Sequence, residues 1–317
     1  MTARQKAFTL PLLACPFPVT VSPHVDVVQA STQRWIRRLG LLTPPQLRHF
    51  ARAGYGDLAG RVYPYARLPL LQLAADWISW LFAIDDVIYE EGTPLAAVQT
   101  IPELRRVLAG DHNGSSGFGE ALADIYVRIA AVADAEQLRR WTAATNEYLL
   151  AQLWELINRT HAQVPALEAY VTMRRLTGAM YTVYALIDIV AERPLPACVW
   201  SEPQVRAIRR HAVDVVVWDN DLISWEKERL AANGVNNLVS VLATHGEMSV
   251  PEAFEQIVHM RQEAMAQVVV LGRQLTARQH EPLTAFVGGL QTWISGSLAY
   301  SVGSSRYLTA TDNEPDQ

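Results

Sequence analysis

Acidic side chains end an apolar stretch in the segment FAIDDVIYEE, residues 82–91. On a helix, Asp86 and Glu90 share a face because they are four residues apart, and Asp85 lies beside them. Carboxylates that converge in this way can bind one hard cation through oxygen. Acidic residues near the carboxyl end of a helix also oppose its dipole, which disfavours a purely structural cluster. From this motif alone, a metal site and a solvated helix end both remain open.

A second polar segment, WDNDLISWEKE at residues 218–228, combines an amide, a hydroxyl and a carboxylate. Asn220, Ser224 and Glu228 are spaced by four residues, which drifts only about 40° per step and keeps them on one helical face. All three side chains offer oxygen ligands, which suit octahedral magnesium better than zinc. Lys227, one of only two lysines among 27 basic residues, is adjacent. A site for a hard metal and an anion would use all four residues.

Other sites for this second segment can be weighed on spacing. An EF-hand loop would begin at Asp219, but it needs a ligand and a glycine where Ile223 and Ser224 stand. A phosphatase Asp-x-Asp nucleophile would be followed by threonine at position 223, and the pattern here continues as a helix. An ordinary solvated helix surface remains open for this segment taken by itself.

Long amphipathic helices are the elements that would position both motifs. Asp134 and the Ser249–Glu252 capping box mark two helix starts, whereas residues 101–109 form only a charged stretch before a glycine-rich loop. No repeat or shift in composition divides the chain, so we expect about ten helices in one all-α domain, 1–317, with a disordered tail at 308–317. The predicted helices, by residue number, are about 23–39, one starting at 43–45, 68–91, 120–132, 135–161, 165–191, 203–232, 237–244, one from 250 and one from 281.

Composition excludes several classes of protein. The chain has 317 residues, 50% of them apolar, and its 27 basic against 32 acidic residues give a net charge of -5. Such a chain can bury a large core, and it lacks the basic surface that nucleic-acid binding requires. Two cysteines, Cys15 and Cys198, are too few for a disulfide framework, and no apolar run approaches 18 residues. We expect a cytoplasmic protein without a membrane span or a nucleic-acid partner.

Together the two acidic motifs resemble those of the bacterial class I terpene synthases. DDVIYE at residues 85–90 is similar to the DDxxxE motif of that family, and NDLISWEKE at 220–228 matches NDxxSxxKE in every defined position. The segment CPFPVTVSPH at 15–24 is similar to the N-terminal family signature, with Ser22 in place of the usual asparagine. Arg306 and Tyr307 resemble the C-terminal RY pair. The similarity therefore covers nearly the whole chain.

The resemblance implies the class I terpenoid synthase fold, an antiparallel helical bundle around a central apolar cavity, with residues 1–20 as an N-terminal strand or lid. It also implies three magnesium ions between the two acidic motifs, which grip the diphosphate of a prenyl substrate. The implied metal ligands are Asp85, Asp86, Glu90, Asn220, Ser224 and Glu228. The implied diphosphate donors are Arg174, Lys227, Arg306 and Tyr307.

Arg174 lies 46 residues before Asn220, at the position that resembles the diphosphate-sensing arginine of the family. The resemblance implies a helix break after it, with Thr177 as the linker residue and Gly178 as the effector residue. Some members carry aspartate where Thr177 stands. Arg175 is the competing candidate, because one residue of this adjacent pair must point elsewhere.

Aromatic rings can stabilise carbocations without reacting as readily as polar side chains. The candidates for the cavity wall are Tyr63, Phe82, Trp218, Trp293 and Tyr300, and the resemblance favours Phe82 and Trp293. Ordinary core packing is the alternative for each ring.

The implied activity is a magnesium-dependent terpene cyclase. It would ionise farnesyl diphosphate, release pyrophosphate and cyclise the carbocation to a sesquiterpene hydrocarbon or alcohol. A diterpene cyclase that uses geranylgeranyl diphosphate, a prenyl chain-elongating synthase and an inactive prenyl-binding helical module are the alternatives. Homodimers are common in the family, so a homodimer is among the implied assemblies.

Overall fold

The structure, a computed structural model, describes residues 12–90, 92–230 and 234–307. Within these ranges the regular structure is helical and contains no strand, which confirms the predicted all-α class. A π-helical turn, Asp85–Glu90, continues α4, and two short 3-10 turns are Gly234–Asn236 and Ser305–Tyr307. The fifteen α-helices of the described residues are α1 Val25–Arg38, α2 Pro44–Ala53, α3 Tyr55–Val62, α4 Leu68–Ile84, α5 Pro94–Leu108, α6 Gly117–Ala130, α7 Ala135–Thr160, α8 Leu167–Thr177, α9 Met180–Tyr184, α10 Ile187–Val190, α11 Ala197–Trp200, α12 Pro203–Leu230, α13 Leu238–His245, α14 Val250–Thr276 and α15 Glu281–Gly303.

Capping side chains start several helices where the sequence places them. The Asp134 side chain accepts a hydrogen bond from the backbone N–H of Gln137 at the start of α7. A capping box formed by Ser249 and Glu252 starts α14. Asp134 and Gln137 form a capping box as well, and each of the two boxes satisfies backbone donors that would otherwise lack a partner in the first turn. Both predicted starts are confirmed.

One predicted helix, 165–191, is wrong as a continuous element. Helix α8 ends at Thr177, and Ala179 then adopts a left-handed conformation with φ of 57° before α9 begins. A Cβ at Gly178 would lie 2.6 Å from Cγ1 of Val217, so the chain approaches α12 more closely than a larger residue would allow. Hydrophobic periodicity cannot reveal this packing, whereas the helix break that the resemblance implied at Thr177 and Gly178 is present.

Three helices, α3, α5 and α11, were missed, and the predicted helix 165–191 is three separate helices, which together explain why about ten were expected and fifteen are present in the described residues. Helix α5 covers the stretch predicted only as charged, and its start is capped by the Thr93 side chain, which accepts from the backbone N–H of Ala96. Helix α3 begins directly after Gly54, which is left-handed with φ of 73°. The remaining difference at the first motif is that α4 gives way to a π turn at Asp85, and Glu91 lies outside the described residues.

Packing around α4 and α12 builds the core. In α4, Trp77 stacks on Trp80 with ring centroids 5.2 Å apart and meets the edge of Trp141 from α7 at 5.0 Å. Helix α12 packs along α14 and α15, and α15 packs on α3. Both acidic motifs are therefore carried on helices with buried neighbours on several sides. No described helix is long and apolar enough to cross a bilayer.

A buried ion pair ties the N-terminal segment to the bundle. Arg261 of α14 is only 1% exposed and forms two hydrogen bonds with the carboxylate of Asp219 on α12. It also donates to the carbonyl oxygen of Ala14, and Ser295 donates to the carbonyl oxygen of Pro18. Of the predicted N-terminal segment 1–20, residues 1–11 lie outside the described ranges, as does the predicted tail 308–317.

Replacement of Arg261 by methionine should reduce the free energy of unfolding by about 3 kcal/mol, because it leaves the buried Asp219 carboxylate without its cation. Urea unfolding followed by circular dichroism measures this loss. Arg273→Met, at an exposed position of the same helix, is the matched control and should change stability by no more than about 0.5 kcal/mol. An Arg261→Met protein that unfolds at the same urea concentration as the parent would contradict the role assigned to the pair.

Candidate active site

A cavity lies between α4, α7, α12 and α15, and the break between α8 and α9 forms part of its wall. Its lining divides by chemistry into a polar and an apolar set. The polar set includes Asp85, Glu90, Glu155, Arg174, Asn220, Ser224, Lys227, Glu228 and Arg306. The apolar and aromatic set includes Leu58, Ile78, Leu81, Phe82, Met180, Val183 and Trp293. One cavity thus has groups for a charged ligand and for a hydrocarbon.

The three acids of the first motif converge. Carboxylate oxygens of Asp85, Asp86 and Glu90 all lie within 4.8 Å of one another. On an α-helix, Asp85 and Glu90 would be rotated by about 140° from each other. They belong to a π turn, whose hydrogen bonds join residues five apart and bring such positions closer to one face. The local helix type therefore gathers all three carboxylates.

The electrostatics of this cluster favour a cation. Burial raises the pKa of Asp85 well above its ordinary value, and the nearby charges of Glu90 and Asp86 raise it further. Burial would also raise the pKa of Asp86, but the Arg306 guanidinium holds that pKa below its ordinary range. Carboxylate oxygens are the ligands that hard divalent cations prefer, and neither histidine nor cysteine is among the described residues that line the cavity. The residues present therefore fit a hard divalent metal.

The second motif lies along α12 with its predicted spacing. Asn220, Ser224 and Glu228 all line the cavity, as does Lys227. The Glu228 carboxylate accepts a hydrogen bond of 3.0 Å from the amide of Asn237, and burial is the main cause that raises the pKa of Glu228 to about 7. Amide, hydroxyl and carboxylate oxygens thus form a second set of donors on the same cavity.

Arg174 and Arg175 point to different surroundings. Arg174 lines the cavity and donates to the side-chain oxygen of Asn220 at 2.7 Å and to the carboxylate of Asp221 at 2.9 Å. Arg175 instead forms two hydrogen bonds with Asp214, of 2.6 and 3.0 Å. Of the two candidates, Arg174 alone is in the cavity wall. Two further lining residues, which mark the helix break, are Thr177 and Gly178.

Arg306 connects the C-terminal turn to the first motif. It is 5% exposed, and its guanidinium donates to both carboxylate oxygens of Asp86, at 2.9 and 3.1 Å, and to the Tyr55 hydroxyl at 2.7 Å. The guanidinium carbon also lies 4.5 Å from the ring centroid of Phe82. The Tyr307 side chain lies outside the part of the structure that is described.

Three of the five predicted aromatic residues line the cavity, namely Phe82, Trp293 and Tyr300. Tyr63 does not: its hydroxyl donates to the carbonyl oxygen of Val183 at 2.6 Å, and its ring contacts Trp293 edge-on at 5.5 Å. Trp218 does not either, because it precedes Asn220 by two residues and so lies about 200° around α12. Tyr63 supports the wall from behind, and Trp218 packs in the core.

Helix α7 supplies cavity residues that the sequence analysis missed. Glu155 lies 3.9 Å from the Arg174 guanidinium, and burial raises the pKa of its carboxyl. Tyr148 and Gln152 of the same helix also line the cavity, and the Gln152 amide donates to the carbonyl oxygen of Thr177. A single glutamate within an ordinary helical pattern gave no signal of its own. Its charge partner, Arg174, lies on another helix.

Comparison with known proteins is consistent with this geometry. The sequence model of the family described as terpene synthase family 2, C-terminal metal binding, matches residues 76–267. The chain is 46% identical to a 4-epi-cubebol synthase of Streptosporangium roseum, named as (2E,6E)-farnesyl diphosphate cyclizing, over 95% of this chain and 93% of that protein. It is 33% identical to a (+)-T-muurolol synthase of Roseiflexus castenholzii, named as cyclizing the same diphosphate, over 93% of each chain.

Solved structures show the same fold. The SVS_A2 protein from ancestral sequence reconstruction superimposes with a TM-score of 0.86 at 25% identity, over 93% of this chain and 90% of that chain. An α-eudesmol synthase gives a TM-score of 0.84 at 19% identity, over 93% of this chain and all of that chain. At that identity the second match supports the fold alone.

Asp85→Asn should raise the melting temperature in the absence of metal and weaken the stabilisation that metal provides. In a chelator the variant should melt about 2 °C above the parent, because the substitution removes one charge from a buried cluster of like charges. The rise in melting temperature that magnesium gives the parent should shrink, because one ligand is lost.

Thermal unfolding in chelator and in magnesium chloride measures both effects. Glu255→Gln, which removes an exposed acidic charge on α14, is the control and should respond to magnesium like the parent. An Asp85→Asn protein that matches the parent under both conditions would refute the metal assignment.

Proposed function

Because this chain belongs to the bacterial class I terpene synthases, we propose that it cyclises farnesyl diphosphate to a sesquiterpene hydrocarbon or alcohol and releases pyrophosphate. The observation that carries this proposal is the arrangement of both acidic motifs on one cavity whose remaining wall is apolar and aromatic. Two similar relatives, at 46% and 33% identity, are named as farnesyl diphosphate cyclizing, which favours a C15 substrate. We further propose that a single catalytic domain spans the chain.

Magnesium is the proposed metal, with three ions held between the two motifs. The ligands would be Asp85, Asp86 and Glu90 on one side and Asn220, Ser224 and Glu228 on the other. When bound, such ions neutralise the negative charge of a diphosphate and of the departing pyrophosphate. The oxygen-only donor set supports this choice over zinc or copper.

Diphosphate binding would fall to the cationic side chains of the cavity. Arg174 of α8 and Lys227 of α12 line the cavity. Arg306 also lines it, and its guanidinium contacts Asp86 of the first motif. Guanidinium groups donate paired hydrogen bonds to phosphate oxygens, and these strengthen as charge develops on the leaving group. Tyr307 would add its hydroxyl. Thr177 and Gly178 would couple Arg174 to the hydrocarbon part of the wall through the helix break.

Aromatic and aliphatic residues would control the carbocation. Phe82 and Trp293 offer ring faces that attract a cation, and Tyr300 adds a third ring to the lining. Apolar neighbours such as Ile78 and Val183 exclude water, so the cation can rearrange before it loses a proton or captures water. No protein nucleophile is required, because the carbon–oxygen bond breaks to give an allylic cation and pyrophosphate.

Incubation with prenyl diphosphates tests the proposal directly. Purified protein with magnesium should convert farnesyl diphosphate to a cyclic C15 product and release pyrophosphate. Mass spectrometry identifies the C15 product, and a phosphate assay after hydrolysis of the pyrophosphate measures its release. Geranylgeranyl diphosphate should turn over at least about tenfold more slowly. Added isopentenyl diphosphate should not give longer prenyl diphosphates.

Each alternative function has its own result in this experiment. A preference for the C20 substrate would indicate a diterpene cyclase, and elongated diphosphates would indicate a chain-elongating synthase. No turnover of any substrate by folded protein would leave only a prenyl-binding module and would refute the proposal.

Alanine at Asn220 or Glu228 should lower turnover more than about a hundredfold, since several kcal/mol of charge stabilisation depend on the metal. Glu226→Ala is the matched control, because Glu226 lies between them on α12 but is paired with Arg229 away from the cavity. Its rate should stay within about twofold of the parent. Far-ultraviolet circular dichroism checks that all three variants are folded. Parental rates in Asn220→Ala and Glu228→Ala would contradict the ligand assignment.

A further inference from the structure

A second concave surface lies outside the catalytic cavity, where α7, α9, α11 and α12 meet. We call it the arginine groove. Its lining residues include four arginines, one acid and one indole ring, namely Arg139, Arg140, Arg206, Arg209, Glu147 and Trp200. None of these residues lines the catalytic cavity. The groove therefore needs its own explanation.

Two of the four arginines have no carboxylate partner among the residues that the structure describes. Arg139 is paired with Glu136, and Arg140 is paired with the buried Asp188 at 2.8 Å. Arg206 is exposed and forms no ion pair with any described residue. Within the described ranges, Arg209 donates only to backbone carbonyl oxygens, those of Val205 at 3.3 Å and Trp200 at 3.1 Å. Positive charge in the groove is thus only partly balanced.

Packing holds these cations close together. The guanidinium carbons of Arg140 and Arg209 lie 4.3 and 3.7 Å from the ring centroid of Trp200. Burial, with Arg140 and Arg206 as neighbouring cations, lowers the pKa of Arg209 to about 10. Cation–π contacts offset part of this repulsion, but they do not supply a counter-charge. The arrangement is costly unless an anion compensates it.

Arg140 also carries a donor without an acceptor. Its side chain is almost completely buried, and its Nε–H has no hydrogen-bond partner among the described residues. Leaving such a donor unsatisfied costs about 1–3 kcal/mol. Arg140 lines the groove, but its Nε atom is closed to solvent, so a ligand in the groove would meet the unbalanced charge of Arg206 and Arg209 and not this donor.

We propose that the arginine groove binds an oxyanion of the phosphate class, with Arg206 and Arg209 as its charged donors. Guanidinium groups bind tetrahedral oxyanions through paired hydrogen bonds, which a halide cannot accept in the same way. The Trp200 ring is already in contact with the guanidinium groups of Arg140 and Arg209. The groove would therefore recognise the negative charge of a ligand rather than an apolar part of it. Glu147, which forms no ion pair with a described residue, opposes the anion and limits its affinity.

The test uses the full-length protein in chelator, so that the metal-dependent site does not compete. Inorganic phosphate, pyrophosphate and glycerol phosphate are titrated separately at constant ionic strength, with tryptophan fluorescence and calorimetry as readouts. At least one should bind saturably where chloride does not, and the strongest arm identifies whether a free phosphate, a diphosphate or a phosphate ester is preferred.

Three variants separate this site from general electrostatics. Arg206→Gln should weaken binding about tenfold or more, because it removes an exposed donor that packs against nothing essential. Glu147→Gln should tighten binding, because it removes the opposing charge. Arg38→Gln, which removes an exposed arginine of α1, should bind like the parent.

The result is independent of the catalytic proposal. Absence of saturable binding to the parent would overturn the inference, as would equal binding by Arg206→Gln. Binding that is lost in Arg174→Gln but retained in Arg206→Gln would also overturn it, because the anion would then lie in the catalytic cavity. Prenyl diphosphate turnover, measured on the same preparations, reports the catalytic site separately.

Discussion

Keeping three carboxylates charged within 4.8 Å of one another in a partly buried position costs free energy. Cationic side chains around the cluster offset part of that cost. Arg306, near the C-terminal end of the described residues, pairs with Asp86, and its guanidinium also donates a hydrogen bond to the Tyr55 hydroxyl. Lys227 lies near enough to lower the pKa of Asp86 further. This balance is incomplete without a further cation, which suits a site that binds a hard divalent metal.

The aspartates and Glu228 of α12 have two kinds of surroundings, a buried ion pair or the cavity. The three buried aspartates of α12 each have an arginine from another helix: Asp214 pairs with Arg175, Asp219 with Arg261 and Asp221 with Arg174. The proposed ligands stay on the cavity face. Arginine suits these buried pairs because its planar fork can bond both carboxylate oxygens, as it does at Asp214 and Asp219, which helps to explain a chain in which only two of 27 basic residues are lysine.

The sequence was informative where one helix determines the geometry. Asn220, Ser224 and Glu228 fall on one face because α12 is regular, so their spacing was sufficient to predict that they share a cavity. The gathering of Asp85 with Glu90 was less accessible, because it depends on a π turn. The break at Gly178 was implied by the family resemblance but not by the hydrophobic pattern, because it depends on contact with Val217, and Glu155 pairs with Arg174 of another helix. Trp218 was misplaced because aromatic type alone does not specify a helix face.

Helix α9 has five residues, too few to be stable through its own hydrogen bonds, so its neighbours determine where it lies. Met180 and Val183 of this segment line the cavity, yet the segment is held from the other side by Tyr63, which bonds to Val183, and by Trp77, which bonds to Thr182. Cavity shape can therefore change through substitutions that never contact a ligand. Within a lineage of such proteins, product identity could drift through these supporting positions while every lining residue stayed the same.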